Sequence, residues 1–261
     1  MQKEYKKIEG GTLFEGMTSL RAIFASRACV PAFNDRRILS LYFARESESK
    51  LRKELSWLSH RAEEEGFPIV PLSASEIEGM TTGNTHGGIV AECGTRTIPP
   101  LSTHTASLPA NGFYALIEGI EDPYNFGYAI RSLYAAGVDG ILLTERNWMS
   151  AAGVVARASA GASELLPLYT ADSVMAARAF REMGYRVICA DTRTNTLLPD
   201  ADLKKPILLI VGGEKRGISR ALLNECVLAV KIPYAREFNA SLSAASATTM
   251  LAYEIMRQNR T

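Results

Sequence analysis

Three stretches in the second half of the 261-residue chain bring together residue types that bind or act on charged ligands. The first is Asp122-Pro123-Tyr124-Asn125-Phe126-Gly127, with Arg131 four residues on. Pro123 blocks a helix before it, and Asn125 suits a helix cap. Phe126, Ala129, Ile130 and Leu133 make one apolar helix stripe, and Arg131 falls off it. An arginine there is either a solvated charge or a planar, permanently charged fork for phosphate. The second stretch runs from Ile207 to Ser219: five aliphatic residues, Gly212-Gly213, Glu214, then Gly217 and Ser219. Its glycines allow a sharp turn and close ligand approach. Glu214 suits either backbone N–H groups or a ribose hydroxyl, and a plain loop-tip charge is the alternative. The third leads from Ile232-Pro233-Tyr234 to Asn239-Ala240-Ser241-Leu242-Ser243 and into a helix of small residues, Ala244 to Ala247, with Ser241 as its expected cap. Small residues there admit either a ligand or a tightly packed neighbour.

The elements that must carry these stretches alternate. The unbroken apolar run Ile207 to Val211 reads as a strand buried on both faces, and Tyr114 to Glu118, Ile141 to Leu143 and Arg186 to Ala190 read as further strands. Leu165 to Tyr169 and Ala229 to Ile232 add two short strands. Helices are expected over 126–136, 151–159, 173–183, 219–226 and 242–257. Strand-helix alternation implies a parallel sheet covered on both sides, hence an α/β unit. The glycine loop is not a Walker loop, because its lysine precedes the last glycine, and the dinucleotide Gly-x-Gly-x-x-Gly spacing is absent. A nucleotide-phosphate enzyme built on either motif is therefore a weak reading.

The N-terminal third reads as a smaller α/β unit. Helices are expected over 17–28, 49–65 and 73–80, and strands over 38–43, 69–72 and 88–92. Arg27, Arg36, Arg37 and Arg45 surround its middle strand and are candidate phosphate contacts, with a solvated rim as the alternative. Residues 94–112, with three prolines and many hydroxyls, read as a linker between a unit at 1–93 and one at 113–261, and few contacts should cross such a boundary.

Composition is that of a globular protein, 47% hydrophobic and 22% charged, with no apolar run long enough to span a bilayer. Met1 to Gly11 is charged and lacks the apolar centre of a signal peptide. Four scattered cysteines and three histidines argue for free thiols in a reducing cytoplasm and against a structural zinc, so no metal ligands are assigned. A net charge of +1 disfavours indiscriminate nucleic-acid binding but leaves room for a local patch.

Together the three stretches resemble the SpoU group of RNA ribose methyltransferases in the SPOUT superfamily. Asn125, Gly127 and Arg131 match its Asn-x-Gly-x-x-x-Arg motif. Gly212, Glu214, Gly217, Ile218 and Ser219 match the second motif. Ile232, Pro233, Ser241, Leu242, Tyr253 and Glu254 match the third. Ser243 stands where the family usually has asparagine. The first ninety-odd residues are similar, more weakly, to an L30e-like domain, through Gly16 and His86-Gly87-Gly88.

The resemblance implies an α/β fold with a parallel sheet and a C-terminal trefoil knot, plus a smaller L30e-like domain that binds substrate RNA. It implies S-adenosylmethionine as cofactor, held by Val211, Gly212, Gly213, Ile232 and Leu242, largely through backbone groups. It places Arg131, Asn125, Glu214, Ser241 and Ser243 at the catalytic centre of a homodimer. The implied reaction is 2′-O-methylation of a ribose, in ribosomal RNA by preference or in transfer RNA. A non-catalytic RNA-binding protein that keeps the fold is the alternative.

Overall fold

The computed structural model describes residues 12–82, 85–144 and 151–260. The charged segment at 1–11, read above as lacking a signal peptide, lies outside them. The N-terminal unit contains β1 (Thr12–Glu15), α1 (Gly16–Cys29), β2 (Ile38–Ala44), α2 (Arg52–Glu65), β3 (Ile69–Leu72), α3 (Ala74–Met80) and β4 (Ile89–Cys93). Its strands form one sheet in the order β1-β4-β2-β3, with only the β2–β3 pair parallel. Local chemistry sets the helix limits. Ser73 and Glu76 form a reciprocal capping box at the start of α3. Gly66, at φ +77°, ends α2 in the left-handed region that other residues avoid. The first strand was not expected. Its four residues are too few to show a period, and it is fixed by pairing with β4, which buries Phe14 completely.

The second unit runs β5 (Phe113–Glu118), α4 (Pro123–Ala135), β6 (Gly140–Leu143), α5 (Ala152–Ala158), β7 (Leu168–Thr170), α6 (Ser173–Glu182), β8 (Arg186–Ala190), β9 (Ile207–Gly212), α7 (Arg220–Leu223), β10 (Leu228–Val230) and α8 (Ala244–Gln258). All six strands are parallel, in the order β10-β8-β9-β5-β6-β7. The fold is α/β, as expected. β5 and β9 lie side by side at the centre, and their aliphatic runs are buried, one apolar cluster on each face of the sheet. The strand expected to begin at Leu165 begins instead at Leu168, because Ala162–Glu164 forms a 3-10 turn with the Glu164 carboxylate buried.

The segment at 94–112 is not a loose tether, contrary to its composition. Arg96 is buried and donates to three carbonyls: Phe33 O (2.8 Å), Ser163 O (2.7 Å) and Leu166 O (2.6 Å). Leu101 joins the core of the second unit, and Pro100 bridges to Thr170. Contacts across the seam are close. A Cβ on Gly153 of α5 would stand 1.7 Å from Leu13 O, and one on Gly161 would stand 2.4 Å from Ala22 Cβ. Ala156 of α5 packs in the N-terminal core itself. The two sheets are thus locked at this seam by backbone proximity that only small residues allow.

Candidate active site

The site is built at the C-terminal ends of β5, β8 and β9, where an open parallel sheet leaves its crevice. After β9 the chain turns at Gly212-Gly213. A Cβ on Gly213 would lie 1.9 Å from Gly119 O, so the loop can cross the β5 end only with glycine there. Gly217, at φ +62°, closes the turn by donating its N–H to Gly213 O at 2.8 Å. Ser219 sits at the start of α7 as expected, but its hydroxyl does not cap that helix. It donates instead to Glu118 Oε1 (3.2 Å), while the Ser219 N–H reaches Glu118 Oε2 (2.9 Å). Ser173 donates to the same Glu118 Oε1 at 3.1 Å. The end of β5 thereby fixes the far side of the glycine loop.

Glu214 joins all three sequence stretches. Its Oε1 accepts Asn125 Nδ2 at 2.7 Å and the Ala244 N–H at 3.2 Å. Asn125 is therefore not the cap of α4. Asp122 is, accepting the Tyr124 and Asn125 N–H groups, with Pro123 at the first helical position. The Asn125 side chain is freed to reach the loop. Ser241 is likewise not the cap of α8. Ser243 is, accepting the Ser246 N–H at 3.1 Å. Gly127 has its own reason: a Cβ there would stand 2.5 Å from Ala158 Cβ, so α4 meets α5 only through glycine.

Beside this junction lies a cavity of about 330 Å³ lined by Ala190, Asp191, Arg193, Gly212, Gly213, Glu214, Ser241 and Leu242, among others. A second hollow of about 130 Å³ shares Ala190, Gly212, Gly217 and Ala244 with it and adds Ile210, Val211 and Leu251. Four of the five residues expected to hold a cofactor, Val211, Gly212, Gly213 and Leu242, line one or both. Ile232 lines neither and packs against the core. Of the residues expected to be catalytic, Asn125 and Glu214 are hydrogen-bonded partners, Ser241 lines the cavity, and Ser243 caps α8. Arg131 is exposed on α4, and its guanidinium makes no hydrogen bond or ion pair among the described residues. Sequence reasoning missed Glu118, Asp122 and the segment Ala190 to Arg193 after β8. Asp-Pro before a helix and the strand end next to β9 were the available signals.

The four N-terminal arginines separate. Arg36 is corrected as an RNA contact: it is buried, donates Nε to Glu164 Oε2 (2.9 Å) and Nη1 to Gly94 O (2.8 Å), and lies against the Phe14 ring. Burial pushes the Glu164 carboxyl up, but Arg36, Arg96 and Asn34 outweigh it and hold that carboxyl below its ordinary range. Burial pushes the Arg96 guanidinium down to about 10, still charged at neutral pH. Arg27 is partly exposed and paired with Glu65 at 3.1 Å. Arg37 and Arg45 are exposed. Among the described residues no group of His, Cys, Asp and Glu is placed to hold a metal, and no helix is long and apolar enough to cross a membrane.

A parallel sheet with a glycine loop at its strand ends, tied through one carboxylate to two helix starts, defines an α/β ligand-binding protein with a preformed cleft. A model of the SpoU rRNA Methylase family matches residues 112–253, and the chain belongs to that family of RNA methyltransferases. An uncharacterized tRNA/rRNA methyltransferase of Mycolicibacterium paratuberculosis is 32% identical over 90% of this chain and 74% of its own length. Among solved structures, an S-adenosylmethionine-bound rRNA methyltransferase of Sinorhizobium meliloti superposes with a TM-score of 0.76 at 20% identity, over 96% of this chain and 88% of that one. The SpoU methyltransferase AviRb of Streptomyces viridochromogenes, also with this cofactor, gives 0.74 at 22% identity, over 96% and 92%.

Proposed function

We propose that this protein transfers a methyl group from S-adenosylmethionine to a ribose 2′-OH of RNA, ribosomal RNA by preference. The observation that carries the reading is the junction at Glu214, which lines the cavity and is bonded to the first stretch through Asn125 and to the third through Ala244. The residues present suit the cofactor. Ile210, Ile218 and Leu251 with Ala190 and Ala247 offer an apolar slot for an adenine ring. The Asp191–Arg193 ion pair at the wider end supplies both signs for a zwitterionic amino-acid end. When bound, the cofactor supplies a methyl group on a sulfonium, already an activated donor.

The protein's own part is alignment and charge. Arg131 grips a phosphate next to the target ribose and stabilises the alkoxide that develops on the 2′-oxygen, and the proton leaves late or to water. A guanidinium stays protonated in water and is a poor base, and the freedom of Arg131 from partners among the described residues suits an anion-binding role. Asn125 and Glu214 hold the cofactor loop against the start of α4, Ser241 edges the cavity, and Ser243 holds the first turn of α8. The C-terminal chain forms a trefoil knot around the cofactor, on the strength of the fold likeness.

The division of labour follows the two sheets. Residues 113–261 form the methyltransferase domain and 1–93 an L30e-like RNA-binding domain, with 94–112 between them. Arg27, Arg37 and Arg45 are its RNA contacts, without Arg36. The protein works in the cytoplasm as a homodimer. Exposed Tyr128, Tyr134, Met250 and Tyr253 on α4 and α8 supply an apolar face for a second copy. Those helices are already tied to each other by Ser132 and Thr249.

Mapping of 2′-O-methyl sites in RNA from cells with and without the gene tests the reaction. One ribose that loses its methyl group, and regains it when purified protein and S-adenosylmethionine are added, supports it. Cofactor binding without methyl transfer to any unmodified RNA favours the non-catalytic RNA-binding protein.

A further inference from the structure

The segment that joins β10 to α8 carries two exposed aromatic side chains, Tyr234 and Phe238, 40% and 57% accessible. Their rings stand edge to face, with centroids 5.9 Å apart. The Tyr234 hydroxyl accepts the Leu242 N–H at 3.2 Å. That bond folds the segment back so that the ring pair is anchored to a residue lining the larger cavity. Arg236 lies between the two rings in sequence, and Arg216 lines the same cavity from the glycine loop. Both are exposed, and neither guanidinium has a hydrogen bond or ion pair among the described residues. Exposed rings remain in water and forgo the stabilisation that burial would give, and an exposed ring pair held beside a cavity marks a place for a ligand.

We propose that Tyr234 and Phe238 form a stacking platform for a base of the substrate RNA close to the methylated nucleotide, with Arg236 and Arg216 meeting the adjoining phosphates. The proposal rests on the RNA methyltransferase reading and names how that site holds its substrate. Aromatic faces beside unpaired arginines are the composition that recognises unstacked, single-stranded nucleotides. A second copy of the chain is a poorer occupant: two rings flanked by free positive charge offer little apolar area, whereas α4 and α8 offer more.

The test uses the full-length protein, radiolabelled S-adenosylmethionine, and total RNA purified from cells lacking the gene. Phe238→Ala should raise the RNA concentration at half-maximal rate about 10-fold or more, and should lower turnover at saturating RNA much less. Phe238→Trp, which keeps a flat ring, should restore the wild-type value. Phe238→Leu, which keeps apolar bulk but not the ring, should behave like the alanine variant. Tyr234→Phe separates the hydroxyl anchor from the ring and should fall between wild type and Tyr234→Ala. Calorimetry with S-adenosylmethionine confirms that each variant is folded with its cofactor site intact. An unchanged half-saturation in Phe238→Ala, or wild-type behaviour of Phe238→Leu, overturns the platform while wild-type activity upholds the reaction. A shift of Phe238→Ala to monomer in sedimentation assigns the rings to a second copy and also overturns it. A wild-type protein that methylates none of that RNA overturns the reaction and the platform together.

Discussion

At the seam between the two sheets, Arg36, Arg96 and Arg157 are each bonded to fixed acceptors. Arg36 holds Glu164, Arg96 holds three carbonyls, and Arg157 pairs with Glu15 and donates to Tyr124 OH at 2.6 Å. On α4, the glycine loop and the segment before α8, Arg131, Arg216 and Arg236 are exposed and have no such partner among the described residues. Both sets are arginines in one molecule of net charge +1, so composition alone does not separate them. What separates them is desolvation. A buried guanidinium must satisfy its donors inside the protein, and those bonds fix geometry. An exposed one with no carboxylate beside it keeps its donors in water until an anion replaces that water. The seam arginines therefore hold the two sheets together, and the exposed ones are left open to an anion. Arg157 links the two, because Tyr124 lies next to Asn125 in the first motif.

The sharpest break in this comparison is at Glu164. Glu164→Ala leaves Arg36 buried without its partner, which should destabilise the protein by about 3–5 kcal/mol. Its effect on S-adenosylmethionine affinity should be small in whatever fraction remains folded. Because the folded-state pKa of Glu164 lies below the ordinary 4.5, its contribution is present above that pH and disappears as pH falls through the lower folded value. Urea titrations of wild type and Glu164→Gln at neutral and acid pH would show this. The gap between the two proteins should narrow as the medium is acidified. A gap that does not change with pH would mean that the pair is not what holds the seam.

Arg131→Ala is the counterpart among the exposed arginines, and its pattern should be the reverse. Turnover should fall by ~10²-fold or more, with cofactor affinity within a few-fold and thermal stability unchanged, since the side chain has no internal bond to lose. Near-normal turnover in the purified variant would remove Arg131 from the chemistry.

How much of this was legible in the sequence follows the same division. The central strands were plain, because Ile207 to Val211 has no polar residue and must be buried on both faces. The motif spacing placed Asn125, Glu214 and Arg131, but not what each bonds to. Asn125 and Ser241 were read as caps from residue type, whereas Asp122 and Ser243 do the capping. Several cap-forming residues lie within reach of each helix start, and only the path of the chain decides among them. Arg36 could not be told from Arg37 by sequence. Its partner Glu164 is more than a hundred residues away, and no local pattern reports a pair of that range. The proline-rich composition of 94–112 suggested a tether, but a single buried arginine with three carbonyl partners makes it part of the seam.

Glu214→Ala examines the cleft's own scaffolding. The carboxylate oxygen that accepts from Asn125 and Ala244 would be lost, and the three stretches would no longer share an anchor. Both bonds are near solvent, so the effect should be moderate: cofactor affinity lower by about 10-fold, with a matching fall in turnover at low cofactor concentration. Glu214→Gln keeps an acceptor oxygen and should lose less. Equal affinity in wild type and Glu214→Ala would show that the clasp does not shape the cofactor pocket.

The smallest effect is expected at Ser243, the one departure from the family's third motif. Its hydroxyl accepts the Ser246 N–H and caps α8, and asparagine caps a helix about as well as serine. Ser243→Asn should therefore leave thermal stability unchanged, whereas Ser243→Ala should lose about 1 kcal/mol with the cap. The asparagine amide adds a donor as well as an acceptor beside Glu214 and Ser241, so activity on the correct RNA should be preserved or raised. This pair of variants separates the two tasks a residue can have at that position. If Ser243→Asn melts like wild type and binds S-adenosylmethionine normally but methylates nothing, the first turn of α8 is organised differently here from its relatives. The roles proposed for Ser241 and Ser243 would then fail, while those proposed for Asn125 and Glu214, which rest on their own hydrogen bond, would be untouched.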